Sequence, residues 1–166
     1  MAILIITITM KGYNMTKQKK CVELVDEMYF KTVQNYKSAK NYFDLDTDDR
    51  SKNERHEELE CYEDFFDYVN QSGLSFDFVP VDTFKDQDQG YWRFQMSWGG
   101  PSDEFRIYVD DQNNIEQIYY HYMDWYDGAS KLVQDNIIYD ICQMFLDGCD
   151  CKDNSEIYKN EDEEAA

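Results

Sequence analysis

The side chains best able to do chemistry fall in a few short stretches. In SWGGPSDEF (97–105), Ser102 sits beside Asp103 and Glu104, just after Gly99-Gly100-Pro101. A serine nucleophile needs an elbow of the G-x-S-x-G kind, and a phosphate loop needs a following GK[ST]; neither is present. The glycines and proline sit between two alternating runs, where a tight reversal is expected. The stretch therefore reads as a hairpin turn closed by Trp98 and Phe105. Its functional alternative is an exposed contact tip made by Ser102, Asp103 and Glu104. His121, in YYHYMDWYD, has Asp124 and Asp127 nearby, which sketches an acid–base pair. No nucleophile or glycine-rich loop points at it, and a strand histidine among tyrosines reads first as structural.

Two metal readings are weaker. Cys142, Cys149, Asp150 and Cys151 are transition-metal ligand types, but C-x-C lacks knuckle spacing and only His56 and His121 could complete a site. A buried Cys142 and two tail thiols is the simpler reading. DLDTDDRSKNER tempts a calcium-loop reading. Starting at Asp44 puts Asp49 at the glycine position and Arg55 at the bidentate-glutamate position; starting at Asp46 puts Arg50 among the ligands. Both registers fail, and the sequence calls for neither metal nor cofactor.

Charge carries the strongest signal. The 166 residues hold 35 acidic and 16 basic side chains, a net charge of −19. Residues 1–40 carry seven basic and three acidic groups, whereas residues 41–70 carry eleven acidic and three basic. Such a field repels nucleic acid and anionic membranes and attracts basic surfaces. From Glu54 to Asp67 lie Glu54, Glu57, Glu58, Glu60, Glu63, Asp64 and Asp67, with Arg55 the only cation among them. On a continuous helix rising about 1.5 Å per residue, that is roughly one negative charge per 3 Å, close to the 3.4 Å phosphate spacing of one DNA strand. A rod of that charge density fits a nucleic-acid groove on another protein. The expected partner surface therefore comprises Asp46, Asp48, Asp49, Glu54, Glu57, Glu58, Glu60, Glu63, Asp64, Asp67, Asp103 and Glu104. Tyr62, Tyr120 and Trp125 could add aromatic contact area.

The elements that must position these groups follow from periodicity. Residues 16–43 contain no Pro or Gly, and Val22, Val25, Tyr29, Thr32, Tyr36, Ala39 and Phe43 mark one helical face. The stripe is near-heptad and suits a homodimer seam as well as a core. A second helix is expected over 52–70, with Leu59, Tyr62, Phe65, Phe66 and Val69 inward and Gly73 beyond its end. LSFDFVPV reads as an edge strand because of Pro80. Alternation then predicts strands over 92–98, 105–109 and 115–125, and a last helix over 130–146 capped near Gly148. The fold class is α+β: two N-terminal helices, an antiparallel sheet of three to four strands, and a C-terminal helix packed on the sheet. Residues 1–14, opening MAILIITITM, read as an extension ahead of Met15, residues 15–148 as one domain, and 149–166 as an acidic polar tail. The apolar opening is too short to span a bilayer and lacks a signal-peptide pattern. Five unevenly spaced cysteines favour a reducing cytoplasm.

The segments W-G-G-P-x-D-x-F (Trp98 to Phe105) and D-W-x-D-G-A (Asp124 to Ala129) resemble segments of small acidic accessory proteins of phages and plasmids that block host defence. That class includes anti-restriction and anti-CRISPR proteins, several of them DNA mimics. The resemblance covers residues 91–129 and transfers no site residues. It implies a non-catalytic inhibitor of a basic nucleic-acid-binding nuclease, acting in the bacterial host cytoplasm without binding nucleic acid itself. Two readings stand beside it: an immunity protein or antitoxin neutralising a basic toxin, and a small metal-dependent hydrolase built on His121 and its aspartates.

Overall fold

A computed structural model describes residues 20–85 and 87–149. The extension expected over 1–14, the first helix's expected start at residue 16, Asp86, and the tail beyond Cys149 lie outside the described residues. Helix α1 spans Cys21–Phe43. The Glu23 carboxylate accepts the Lys20 backbone N–H at 3.4 Å, satisfying one donor that a helix start leaves open. One face, Cys21, Val25, Tyr29, Val33, Tyr36, Ala39, Tyr42 and Phe43, is buried. Val22, placed on the stripe by the sequence, is instead 68% exposed. Because α1 packs on the sheet and on the last helix, the stripe that suited a dimer seam lies inside the fold.

The expected second helix over 52–70 does not form. Just before it lies α2 (Thr47–Arg50), and in its region lie α3 (His56–Leu59) and α4 (Phe65–Ser72), joined by turns. Two forces break it. Acids at spacings of three and four, Glu57 with Glu60 and Glu60 with Glu63 and Asp64, repel each other on one helical face. Asp64 also offers the backbone a competing bond: its side chain accepts the Asp67 N–H at 2.8 Å and starts α4 afresh. Leu59 of α3 and Val69 of α4 are still fully buried, so two short helices bury apolar positions that one helix would have buried.

The sheet has five strands rather than three or four: β1 (Ser75–Val79), β2 (Tyr91–Gln95), β3 (Ser102–Val109), β4 (Ile115–Asp124) and β5 (Asp127–Leu132). They run antiparallel in the order β1-β2-β3-β4-β5. Segment β5, DGASKL, stands where the last helix was expected to begin. That helix, α5, covers Asn136–Gly148. Leu132, which falls inside the expected helix 130–146, is an outward-facing residue of β5 and 43% exposed. Across β2 and β3 it is Phe94 that opposes Phe105, their rings stacked at 6.4 Å, while Trp98 is 79% exposed and does not close the hairpin.

Alternation gives the sheet two unlike faces. Trp92, Phe94, Phe105, Ile107, Ile118 and Tyr120 point inward and are buried. Helix α1 lies over β4 and β5. Phe145 of α5 packs at the other end, 4.7 Å from the Phe94 ring and 4.9 Å from Phe76. Burial of each such side chain stabilises the fold by about 1.5–3 kcal/mol. Among the described residues the opposite face carries no helix.

Candidate functional site

The acidic segment forms a knob at the end of α1. Asp46, Asp48, Asp49, Glu54, Glu57, Glu58, Glu60, Glu63 and Asp64 are all exposed, and Asp67 is half-buried. Its three cations are unequal in reach. Arg50 donates to the Leu45 carbonyl at 2.9 Å and to the Phe43 carbonyl, closing the last turn of α1. Arg55 bonds the Asn35 carbonyl at 3.0 Å and Glu58 at 2.6 Å, and holds the Glu58 carboxyl below its ordinary range. Lys52 alone stays largely in solvent, 3.2 Å from Asp49. His56 sits between the Tyr42 hydroxyl (2.9 Å) and Glu60 (3.2 Å). The chain thus uses its arginines internally and presents carboxylates outward.

Asp103 and Glu104 do not belong to that surface, nor do they form an exposed tip. Asp103 accepts the Tyr120 hydroxyl at 2.8 Å and the Ser97 hydroxyl, on the inner side of the sheet. Glu104, its strand neighbour, points to the open face and is 4% exposed. Tyr120 is fully buried and offers no contact area, whereas Trp125 is 83% exposed. Tyr62 is half-buried.

The open face is a polar grid rather than a plain solvated surface. In one row Asp77, Arg93, Arg106 and Tyr119 stand opposite one another from β1 to β4; in the next stand Gln95, Glu104, His121 and Ser130 from β2 to β5. Two arginines directly opposite each other are unfavourable unless neutralised. Asp77 takes Arg93 with two bonds, 2.6 and 3.2 Å, and Glu104 Oε1 takes Arg106 Nε at 2.6 Å. The Arg106 guanidinium also lies 4.8 Å from the centre of the Tyr91 ring. The buried Tyr91 hydroxyl has no hydrogen-bond partner among the described residues.

A cavity of about 630 Å³ opens over this grid. Its floor is Arg93, Glu104 and Arg106, and its rim carries Phe84, Trp98 and Trp125. The turn 96–101 builds one wall: Met96 and Ser97 N–H groups donate to the Asp103 carbonyl at 3.0 and 3.2 Å. Gly99 has φ +128°, a conformation that other residues rarely adopt. At Gly100 an added Cβ would come within 3.1 Å of Trp125 Nε1, so the absence of a side chain lets the indole approach the turn. Gly-Gly-Pro is therefore a turn, as its sequence predicts, and also a wall of the cavity. The sequence did not reveal the cavity, although tryptophans at both strand ends were its visible trace.

The other chemical candidates are not assembled. His121 and Asp124 are three apart on one strand, which places them on opposite faces. Burial, then the Arg106 charge, pushes the His121 imidazole down to about 4. Asp127 accepts the Cys21 N–H at 2.7 Å, at the start of α1. Cys142 is fully buried in α5 and its thiol is pushed up by burial; Cys149 is half-exposed and Cys151 lies outside the described residues. Among the described residues no three His, Cys, Asp or Glu side chains are grouped to hold a metal, and no helix is long and apolar enough to cross a membrane. The chain matches no protein-family model, no curated protein and no solved structure.

Proposed function

We propose that the protein is a non-catalytic inhibitor that binds a basic, nucleic-acid-binding host defence nuclease, of the anti-restriction or anti-CRISPR kind, through its acidic knob. One observation carries the reading: nine exposed carboxylates lie between Asp46 and Asp64, while Arg50 and Arg55 are engaged with the chain's own carbonyls. A surface that turns its cations inward and its anions outward attracts a cationic channel at long range. The knob is not the straight rod that the sequence predicts. The concentration of exposed carboxylates on the knob is what supports the reading; neither a straight rod nor its regular charge spacing of about 3 Å is part of it.

The test is charge reversal at Glu57, Glu60, Glu63 and Asp64, all exposed. Tagged wild type and the quadruple lysine variant are used to capture partners from host lysate at low and high salt, read by mass spectrometry. Wild type is expected to retain a basic nuclease at low salt and release it at high salt, and the variant to retain none. Equal capture by a folded variant contradicts the proposal. Capture of a toxin instead of a nuclease supports the immunity-protein reading.

A further inference from the structure

The cavity on the open face of the sheet is far more specific in its chemistry than a solvated surface requires. Its floor holds one buried carboxylate and two guanidinium groups, and its rim holds three exposed aromatic side chains. Each feature restricts the occupant. A cation is disfavoured because Arg93 and Arg106 face each other in register beneath it. An anion is disfavoured because both arginines already have a carboxylate, Asp77 and Glu104, and the whole chain carries −19. A pure hydrocarbon would cover the charged floor without satisfying it, which is costly.

The remaining class is neutral, flat and polar along one edge. The floor's unused valences define that edge. Arg93 binds Asp77 through Nε and Nη2, and Arg106 binds Glu104 through Nε, so each guanidinium has further N–H donors beyond these bonds. Glu104 uses Oε1, and among the described residues no donor takes Oε2. The ligand must present an acceptor to the guanidinium groups and an N–H donor to the carboxylate, side by side. A cyclic amide in an aromatic ring does this. The exposed Trp98 and Trp125 supply π surfaces on which such a ring can stack, and about 630 Å³ lies within the usual range of small-molecule sites.

We propose that this cavity binds a neutral planar heteroaromatic ring with a cyclic-amide edge, of which guanine is the type. Its carbonyl oxygen accepts from Arg106 or Arg93, its ring N–H donates to Glu104, and its face lies against the rim tryptophans. The site is independent of the acidic knob and stands or falls separately from it. A phosphate on the ligand is not required, and the charge of the chain opposes one.

The experiment is calorimetric and fluorescence titration of the intact chain with guanosine and with adenosine, which lacks the carbonyl acceptor and ring N–H donor. Guanosine is expected to give saturable quenching of tryptophan emission, with adenosine at least tenfold weaker. W125A, at an exposed position, is expected to fold and to bind guanosine at least tenfold more weakly; E104Q is expected to show the same loss. The proposal is overturned if guanosine gives no saturable response at millimolar concentration. Equal binding of adenosine, or unchanged guanosine affinity in W125A, overturns it equally.

Discussion

Asp64 and Asp67 secure the start of α4 together: the Asp64 carboxylate accepts the Asp67 N–H at 2.8 Å, and the Asp67 carboxylate accepts the Glu63 N–H at 3.1 Å. These bonds turn a run of acids into a folded knob. They satisfy backbone donors that a continuous helix would have bonded to its own carbonyls. Negative side chains at a helix start also suit the dipole.

Asp64→Ala removes the cap of α4 and is expected to cost about 1 kcal/mol, a fall of a few degrees in melting temperature. Asp64→Asn should recover most of it. Thermal melts followed by circular dichroism decide the matter: no loss in the alanine variant would mean that the cap contributes nothing.

Tyr120→Phe removes the hydroxyl that bonds the Asp103 carboxylate at 2.8 Å within the fold. The half-buried carboxylate loses a donor, and the expected loss is about 1–3 kcal/mol in urea denaturation. An exposed contact tip at Asp103 would show no loss.

His121 is held down to about 4, first by burial and then by Arg106. An unfolded histidine titrates near 6.5. As pH falls from about 6.5 towards 4, the unfolded chain takes up a proton that the folded chain refuses, so this residue makes stability fall across that window. The stability it withdraws is on the order of 2–3 kcal/mol. His121→Gln should lose less stability than wild type between pH 7 and pH 4.5, measured in urea. Parallel pH dependences would contradict the assignment, as would an imidazole NMR midpoint near 6.5.

Among the described cysteines, Cys61 is exposed, whereas Cys21 and Cys142 are buried. Burial raises both buried thiols, and hydrogen-bonded and charged aspartates add to the rise at Cys21. Brief alkylation of the native chain, mapped by mass spectrometry, should label Cys61 fully and leave Cys21 and Cys142 unlabelled. Labelling of Cys142 at the rate of Cys61 would mean that α5 does not pack as described.

The central strands were legible because Trp92, Phe94, Phe105, Ile107, Ile118 and Tyr120 alternate with polar residues, and a period of two matches a pleated strand and not a helix. Strand β5 was not, because Gly128, Ala129 and Ser130 carry no large apolar alternation. It forms by pairing with β4, which puts Tyr122 opposite Ala129 and His121 opposite Ser130. The acidic segment misled for a different reason. Leu59, Tyr62, Phe65 and Val69 recur at helical spacing, but separate turns bury Leu59 and Val69 fully and Tyr62 and Phe65 partly, and local capping by Asp64 tips the balance. The acids of the knob were legible as a group, since exposure follows from charge density. Asp103 and Glu104 were not: charge alone does not show that a carboxylate has a hydroxyl or a guanidinium waiting for it. The cavity stayed hidden because Arg93 and Arg106 read as ordinary outward residues of a half-exposed sheet.

The measurement that bears most directly on the acidic knob is the affinity of the wild-type chain for the nuclease proposed as its partner, as a function of salt, with and without that nuclease's nucleic acid. Contact through nine exposed carboxylates predicts at least about a tenfold loss of affinity between 50 and 200 mM salt, together with direct competition by the nucleic acid. Affinity that is flat across that range, or a ternary complex in which nucleic acid and this chain bind at once, would contradict it.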